Sequence, residues 1–158
     1  MDPLVKIYLE RAENELILSE TLFKISSDSS LQNEILRIDN SITFYSAVIS
    51  HAYYCIFYCA KAYLISKEIK TRVPEEHRKT FVEFSRFVKG GILDEELLKI
   101  YENVLTKAES LLDIFKREKK KRGQFTYQKL PQANKQPAFE SLNNSKKFFK
   151  SIYNILNL

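Results

Sequence analysis

Glycine is nearly missing from this 158-residue chain, with only Gly90, Gly91 and Gly123, and proline is scarce, with Pro3, Pro74, Pro131 and Pro137. Both residues punctuate structure, so their scarcity excludes an architecture of many short strands and favours long uninterrupted helices. Cysteine occurs twice, at Cys55 and Cys59, too few for a disulfide scaffold. Histidine also occurs twice, at His51 and His77, and neither has Glu three residues before it. That excludes the paired Glu-x-x-His motifs of a carboxylate-bridged di-metal bundle. Gly90-Gly91 lacks the further glycines and the Lys-Ser/Thr of a phosphate loop, and no nucleophile elbow or zincin motif is present. The opening Met-Asp-Pro-Leu-Val-Lys lacks the basic-then-apolar plan of a signal peptide, so a reducing cytoplasm is the expected location.

At 18.6 kDa the chain fits a single domain, residues 1–158, large enough to bury about two thirds of the surface its unfolded form exposes. Phe44 to Ile65 is long enough to cross a bilayer and carries Lys61 as its only formal charge. It also contains five tyrosines together with Ser46, Ser50 and His51, which would need partners in lipid. The expectation is therefore the central helix of a bundle, with no membrane.

Around it the pattern gives an all-α, up-and-down bundle of four to five helices. The first is capped by Asp2 with Pro3 at its first position, ends near Ile25, and faces inward through Leu4, Ile7 or Tyr8, Ala12, Leu16 and Phe23. A serine-rich loop, 26–30, precedes the second helix, which has a break near Asp39-Asn40-Ser41 and runs to Lys67. Val73-Pro74-Glu75-Glu76 starts a third, with Pro at its start and Phe81, Phe84 and Val88 inward, and Gly90-Gly91 stops it. Asp94 opens a fourth with the stripe Leu97, Tyr101, Val104, Ala108, Leu111 and Phe115. A fifth begins at Gln136-Pro137 and buries Leu142, Phe148 or Phe149, Ile152 and Ile155 or Leu156.

Charge is distributed unevenly. From Asp113 to Lys135 there are eight Lys/Arg against two Asp/Glu, while the remainder carries 17 against 18. The surplus is concentrated in Lys116, Arg117, Lys119, Lys120, Lys121 and Arg122, followed by Phe125 and Tyr127. Six cations within seven residues repel one another until an anion takes up several, and a phosphate backbone gains both Coulomb energy and counterion release there. Phe125 and Tyr127 could stack on unpaired bases, as single-stranded RNA is commonly held. A solvated, lysine-rich helix end, with the two aromatics pinning a loop to the bundle, is the alternative. His51, Cys55 and Cys59 form one helical column of metal-ligand residue types. Eight residues of helix rise about 12 Å, too far for all three to share one ion, so neither a metal nor another cofactor is expected.

Ser50-His51-Ala52-Tyr53-Tyr54-Cys55-Ile56-Phe57-Tyr58-Cys59-Ala60-Lys61-Ala62 resembles the Ser-x-Ala-Tyr-Tyr-x-x-Phe-x-x-Ala helix of HEPN domain proteins (higher eukaryotes and prokaryotes nucleotide-binding). Arg122-Gly123-x-Phe125-Thr126-Tyr127, with Leu130-Pro131-x-Ala133-Asn134, is similar to a subset of small archaeal-type members. The resemblance implies an all-helical bundle, a homodimer, and in many members a metal-independent ribonuclease built on Arg-x4-6-His and neutralised by a partner nucleotidyltransferase. This chain departs from that motif. After Arg122 the histidine's possible positions hold Tyr127, Gln128 and Lys129, and Gly123 replaces the polar residue often found beside the Arg. Without an imidazole there, activation of a ribose 2′-hydroxyl loses its usual base. Arg72-x4-His77 has the spacing but precedes the short third helix, and is taken as a decoy. The resemblance thus implies an RNA-binding protein working with a nucleotidyltransferase; in the enzyme reading, Tyr127 of a toxin half is the residue such a partner would modify. The alternative is a ribonuclease toxin whose active site is degenerate or relocated.

Overall fold

The computed structural model describes residues 2–120 and 135–157, of 112–120 the backbone alone. Within them the chain forms helices α1 (Pro3–Ser27), α2 (Tyr45–Ser66), α3 (Glu76–Lys89), α4 (Glu95–Lys120) and α5 (Lys135–Ile155), with a short π-helical turn at Leu31–Leu36. No strand is found among the described residues, and the fold is an all-α bundle.

The middle of the bundle is α2, which packs against α1, α3, α4 and α5. Val48, Ile49, Ala52, Cys55, Ile56, Cys59, Ala60, Tyr63 and Leu64 are all buried, so the helix is covered nearly all round. By length and composition it could span a membrane, yet most of its apolar window lies inside the protein.

Asp2 caps α1 as expected, its Oδ1 accepting from the Leu4 amide at 2.9 Å. The inward face is as expected at Ala12, with Tyr8, Leu16 and Phe23 half-buried against the core, and differs at the start of the helix. Val5, Leu9, Ala12 and Ser19 are buried while Leu4 and Ile7 are exposed. Spacings of four and three keep this seam on α2, and small residues let the backbones approach. Ser19 Oγ then donates to the Val48 carbonyl of α2 at 2.8 Å. The helix continues to Ser27, because Ser26 serves the next element: its Oγ accepts from the Phe44 amide at 2.7 Å and its carbonyl from the Tyr45 hydroxyl. What was expected as one broken second helix is the π-helical turn, a turn in which Asp39 Oδ1 accepts from the Ser41 amide and hydroxyl, and then α2.

Pro74 does not occupy the first position of α3. Glu75 lies in the left-handed region at φ 59° and the helix starts after it. Phe84 and Val88 are buried and Phe81 is half-buried; the chain turns at Gly91, whose φ of +75° suits glycine. Asp94 Oδ1 caps α4 through the Glu96 amide at 2.8 Å. Leu97, Tyr101 and Val104 are buried as the stripe predicts, Ala108 and Leu111 are half-buried, and Ile100 joins them. Phe115, Gly123 and the stretch 124–134 lie outside what the structure describes. α5 buries Leu142, Phe148 and Ile152 together with Ala138, Ser141 and Ser145, small residues absent from the expected set; Ile155 is exposed.

Tyr101, Phe84, Phe148 and Tyr63 interlock edge-on and tilted at the centre, with ring centroids 5.5 to 5.9 Å apart. Replacing Ile56, which is wholly buried, by Asp places an unpaired charge against this core. That costs several kcal/mol, comparable with a whole-domain stability of about 5 to 15 kcal/mol. Thermal melting of Ile56→Asp should show loss of the cooperative transition; a midpoint within a few degrees of the parent would contradict the placement of α2.

Candidate functional site

Lys116, Arg117, Lys119 and Lys120 fall on the last turns of α4. Their side chains, and all of Lys121, Arg122, Phe125 and Tyr127, lie outside the described residues. The structure therefore neither brings the expected nucleic-acid contacts together nor separates them.

The described body holds a different polar constellation where the start of α3 meets the middle of α2. Lys61, the single formal charge in the apolar run, is 5% exposed. A buried ammonium is stable only with its protons satisfied, and this one forms an ion pair with Glu76 and donates to the Thr71 carbonyl at 3.2 Å. It also sits 4.9 Å from the centre of the Tyr8 ring, within cation–π range. Two threonines fix the loop that brings these partners in. The Thr71 and Thr80 hydroxyls are 2.6 Å apart, and Thr80 Oγ1 donates to the Glu76 carbonyl at 2.8 Å. Composition alone marks only Lys61; its partners come from another element and leave no sequence signal.

His77, next to Glu76, lies flat on Phe57, with centroids 3.9 Å apart and planes 11° from parallel, and meets Tyr54 edge-on. Its Nδ1 is 2.8 Å from the Tyr53 hydroxyl. Burial pushes the imidazole below its ordinary value, opposed by Glu76 and assisted by Lys61. Burial, with Tyr54 and Glu109 adding to it, pushes the Tyr53 hydroxyl up, so the tyrosine keeps its proton. A phenol that keeps its proton can donate to Nδ1 or accept from a protonated Nδ1, so this contact fits either tautomer. A general base needs a free lone pair. The ring nitrogen not engaged with Tyr53, Nε2, is a donor in one tautomer and a free acceptor in the other. Arg72 itself is exposed, and its guanidinium has no partner among the described residues.

The column on α2 has separate partners. His51 Nδ1 lies 2.5 Å from Glu15 Oε2 on α1. Cys55 and Cys59 are free and fully buried, and burial holds the Cys59 thiol well above its ordinary value, with a further upward push from Cys55. No group of three or more His, Cys, Asp or Glu is placed to share a metal ion among the described residues.

A family model described as "HEPN domain" matches residues 30–155. Over 92 residues the chain is 33% identical to a Methanocaldococcus jannaschii protein named "Putative toxin MJ0142", a match covering 58% of this chain and 49% of that one. The chain thus spans about half the length of the curated relative it matches. No solved structure matches it.

The His77 geometry has a pH signature. Because the folded-state value lies below the ordinary 6.5, the unfolded chain takes up the proton first as pH falls. Stability is then fully present above about 6.5 and drains as pH drops toward the folded value. His77→Gln keeps an acceptor for Tyr53 and should flatten the melting temperature across that window. The lowered carboxylates Glu20 and Glu140 act only below their ordinary 4.5 and leave this window clear. An unchanged slope in the variant would refute the assignment.

Proposed function

The chain belongs to the HEPN domain family, and we propose that it is a nucleic-acid-binding member, RNA being the ligand, with weak or no ribonuclease activity. The observation that carries this reading is the confinement of the whole cationic surplus to Lys116–Arg122, the rest of the chain being balanced at 19 basic against 19 acidic residues. Affinity then comes mainly from Lys116, Arg117, Lys119, Lys120, Lys121 and Arg122 on phosphates, with Phe125 and Tyr127 stacking on bases. One observation supports low nuclease activity: no histidine follows Arg122 at the family spacing. The toxin name of the archaeal relative supports the alternative of a ribonuclease toxin in a toxin–antitoxin pair; a nucleotidyltransferase partner, with Tyr127 as its target in that toxin reading, rests on the family resemblance. Free thiols at Cys55 and Cys59 suit a cytoplasmic location. A homodimer completes the reading and rests on the family resemblance.

If six cations each neutralise one phosphate of a single strand, the log–log salt slope of RNA binding should approach about −4, and replacing Lys120 and Lys121 by Ala should reduce it by roughly 1.4. Arg122→Ala should weaken binding more than either lysine variant, since a guanidinium grips phosphate bidentately. Salt-independent binding, or indifference to these substitutions, would end the proposal. Robust metal-independent cleavage abolished by His77→Ala would instead establish the relocated ribonuclease. Sedimentation of a monomer at micromolar concentration would remove the dimer.

A further inference from the structure

Between the start of α1, the last turns of α2 and the loop before α3 lies a cavity of about 340 Å³ whose lining includes Lys61 and Glu76. Lys70 and Arg72 stand at it as well, both exposed, and neither side chain pairs with a carboxylate among the described residues. Three cations against one carboxylate leave this small space with a net charge of +2. Its remaining wall is apolar and aromatic, from Leu4, Ile65, Val73 and Tyr8. The adjoining cleft shares Ile65 and Lys70 but carries Asp2 and Glu68, so it has no such excess.

We propose that this cavity is a binding site for a phosphate monoester. A monoester carries close to two negative charges at neutral pH, which matches the two unpaired cations, whereas an internal phosphodiester carries one. Arg72 supplies the planar fork and Lys70 a mobile point charge. The apolar wall beside Tyr8 accepts the organic group that the phosphate is attached to. Glu76 stays on Lys61 and repels the incoming dianion, which sets a ceiling on affinity and excludes ligands that cannot satisfy Lys70 and Arg72 together. The basic run Lys116–Arg122 plays no part in this argument. The monoester has two sources, the terminal phosphate of an RNA strand or a small free ester, and the first of these rests on the RNA reading above.

The test compares one short single-stranded RNA in 5′-hydroxyl, 5′-phosphorylated and 3′-phosphorylated forms, together with phenyl phosphate, by calorimetry on the full chain. A strand-end source gives roughly tenfold tighter binding of one phosphorylated form than of the hydroxyl form. Arg72→Ala and Lys70→Ala should erase that preference while leaving hydroxyl-RNA binding and the melting temperature unchanged. A small-ester source gives phenyl phosphate binding that Arg72→Ala removes, even where no RNA binds at all; the pocket then stands and the RNA reading falls. Glu76→Gln should bind the monoester several-fold tighter while melting lower. The proposal is overturned if terminal phosphates and phenyl phosphate make no difference, whether or not RNA binds, or if Glu76→Gln loses stability with no gain in monoester affinity.

Discussion

A helix that is apolar on every side is stable in water only when other elements cover every side, and α2 imposes that demand on the whole chain. It determines the number of helices, since α1, α3, α4 and α5 each take a share of its surface. It also determines where small side chains occur. Ala12 and Ser19 on α1, and Ala138, Ser141 and Ser145 on α5, are buried because α2 presents a nearly continuous wall and the partners must come close to leave no void. The hydroxyls at these contacts are of unequal use. Ser19 satisfies itself on a carbonyl of α2, whereas Ser141 Oγ is buried without a partner among the described residues, so close approach rather than hydrogen bonding accounts for it.

The same demand explains the polar constellation. Placing Lys61 inside the bundle costs several kcal/mol unless its charge is matched, and nothing on α2 can match it. Glu76 and the Thr71 carbonyl arrive from the α2–α3 connection, so α3 can start only where the chain has turned enough to bring both onto the ammonium. Glu75 takes the left-handed conformation immediately before that start. His77, one residue further, then falls onto Phe57 and the Tyr53 hydroxyl. The imidazole is positioned by the geometry that neutralises Lys61, and its contact with Tyr53 is a by-product of that neutralisation.

Much of the fold was legible because burial is periodic. The Leu97, Tyr101 and Val104 stripe, the Asp2 and Asp94 caps and the extent of α2 all follow from spacings along one element. The errors occur where tertiary contacts decide. On α1 the expectation named Leu4 and Ile7, while packing buries Val5 and Leu9 and, further on, the small Ser19; Ala12 is buried as expected. Pro74 suggested a helix start, but the geometry around Lys61 moved the start past Glu75. The buried site was half legible: a lone Lys in 22 apolar residues signals a matched charge, yet no local pattern tells which carboxylate matches it.

The two anion-directed features of the chain obey different physics. The basic run is a string of like charges on consecutive positions, so it attracts any polyanion and its hold weakens steadily with salt. Lys70 and Arg72 are few, and they face a partly apolar space beside a carboxylate that has already neutralised the ammonium beneath them. Such a site gains little from a polyanion as such and discriminates by the charge and shape of one group. Total cationic charge gives affinity; a fixed cation excess in a small cavity gives selectivity. In this chain the first is written in consecutive residues, and the second exists only because folding brings residues 8, 61, 70, 72 and 76 to one place.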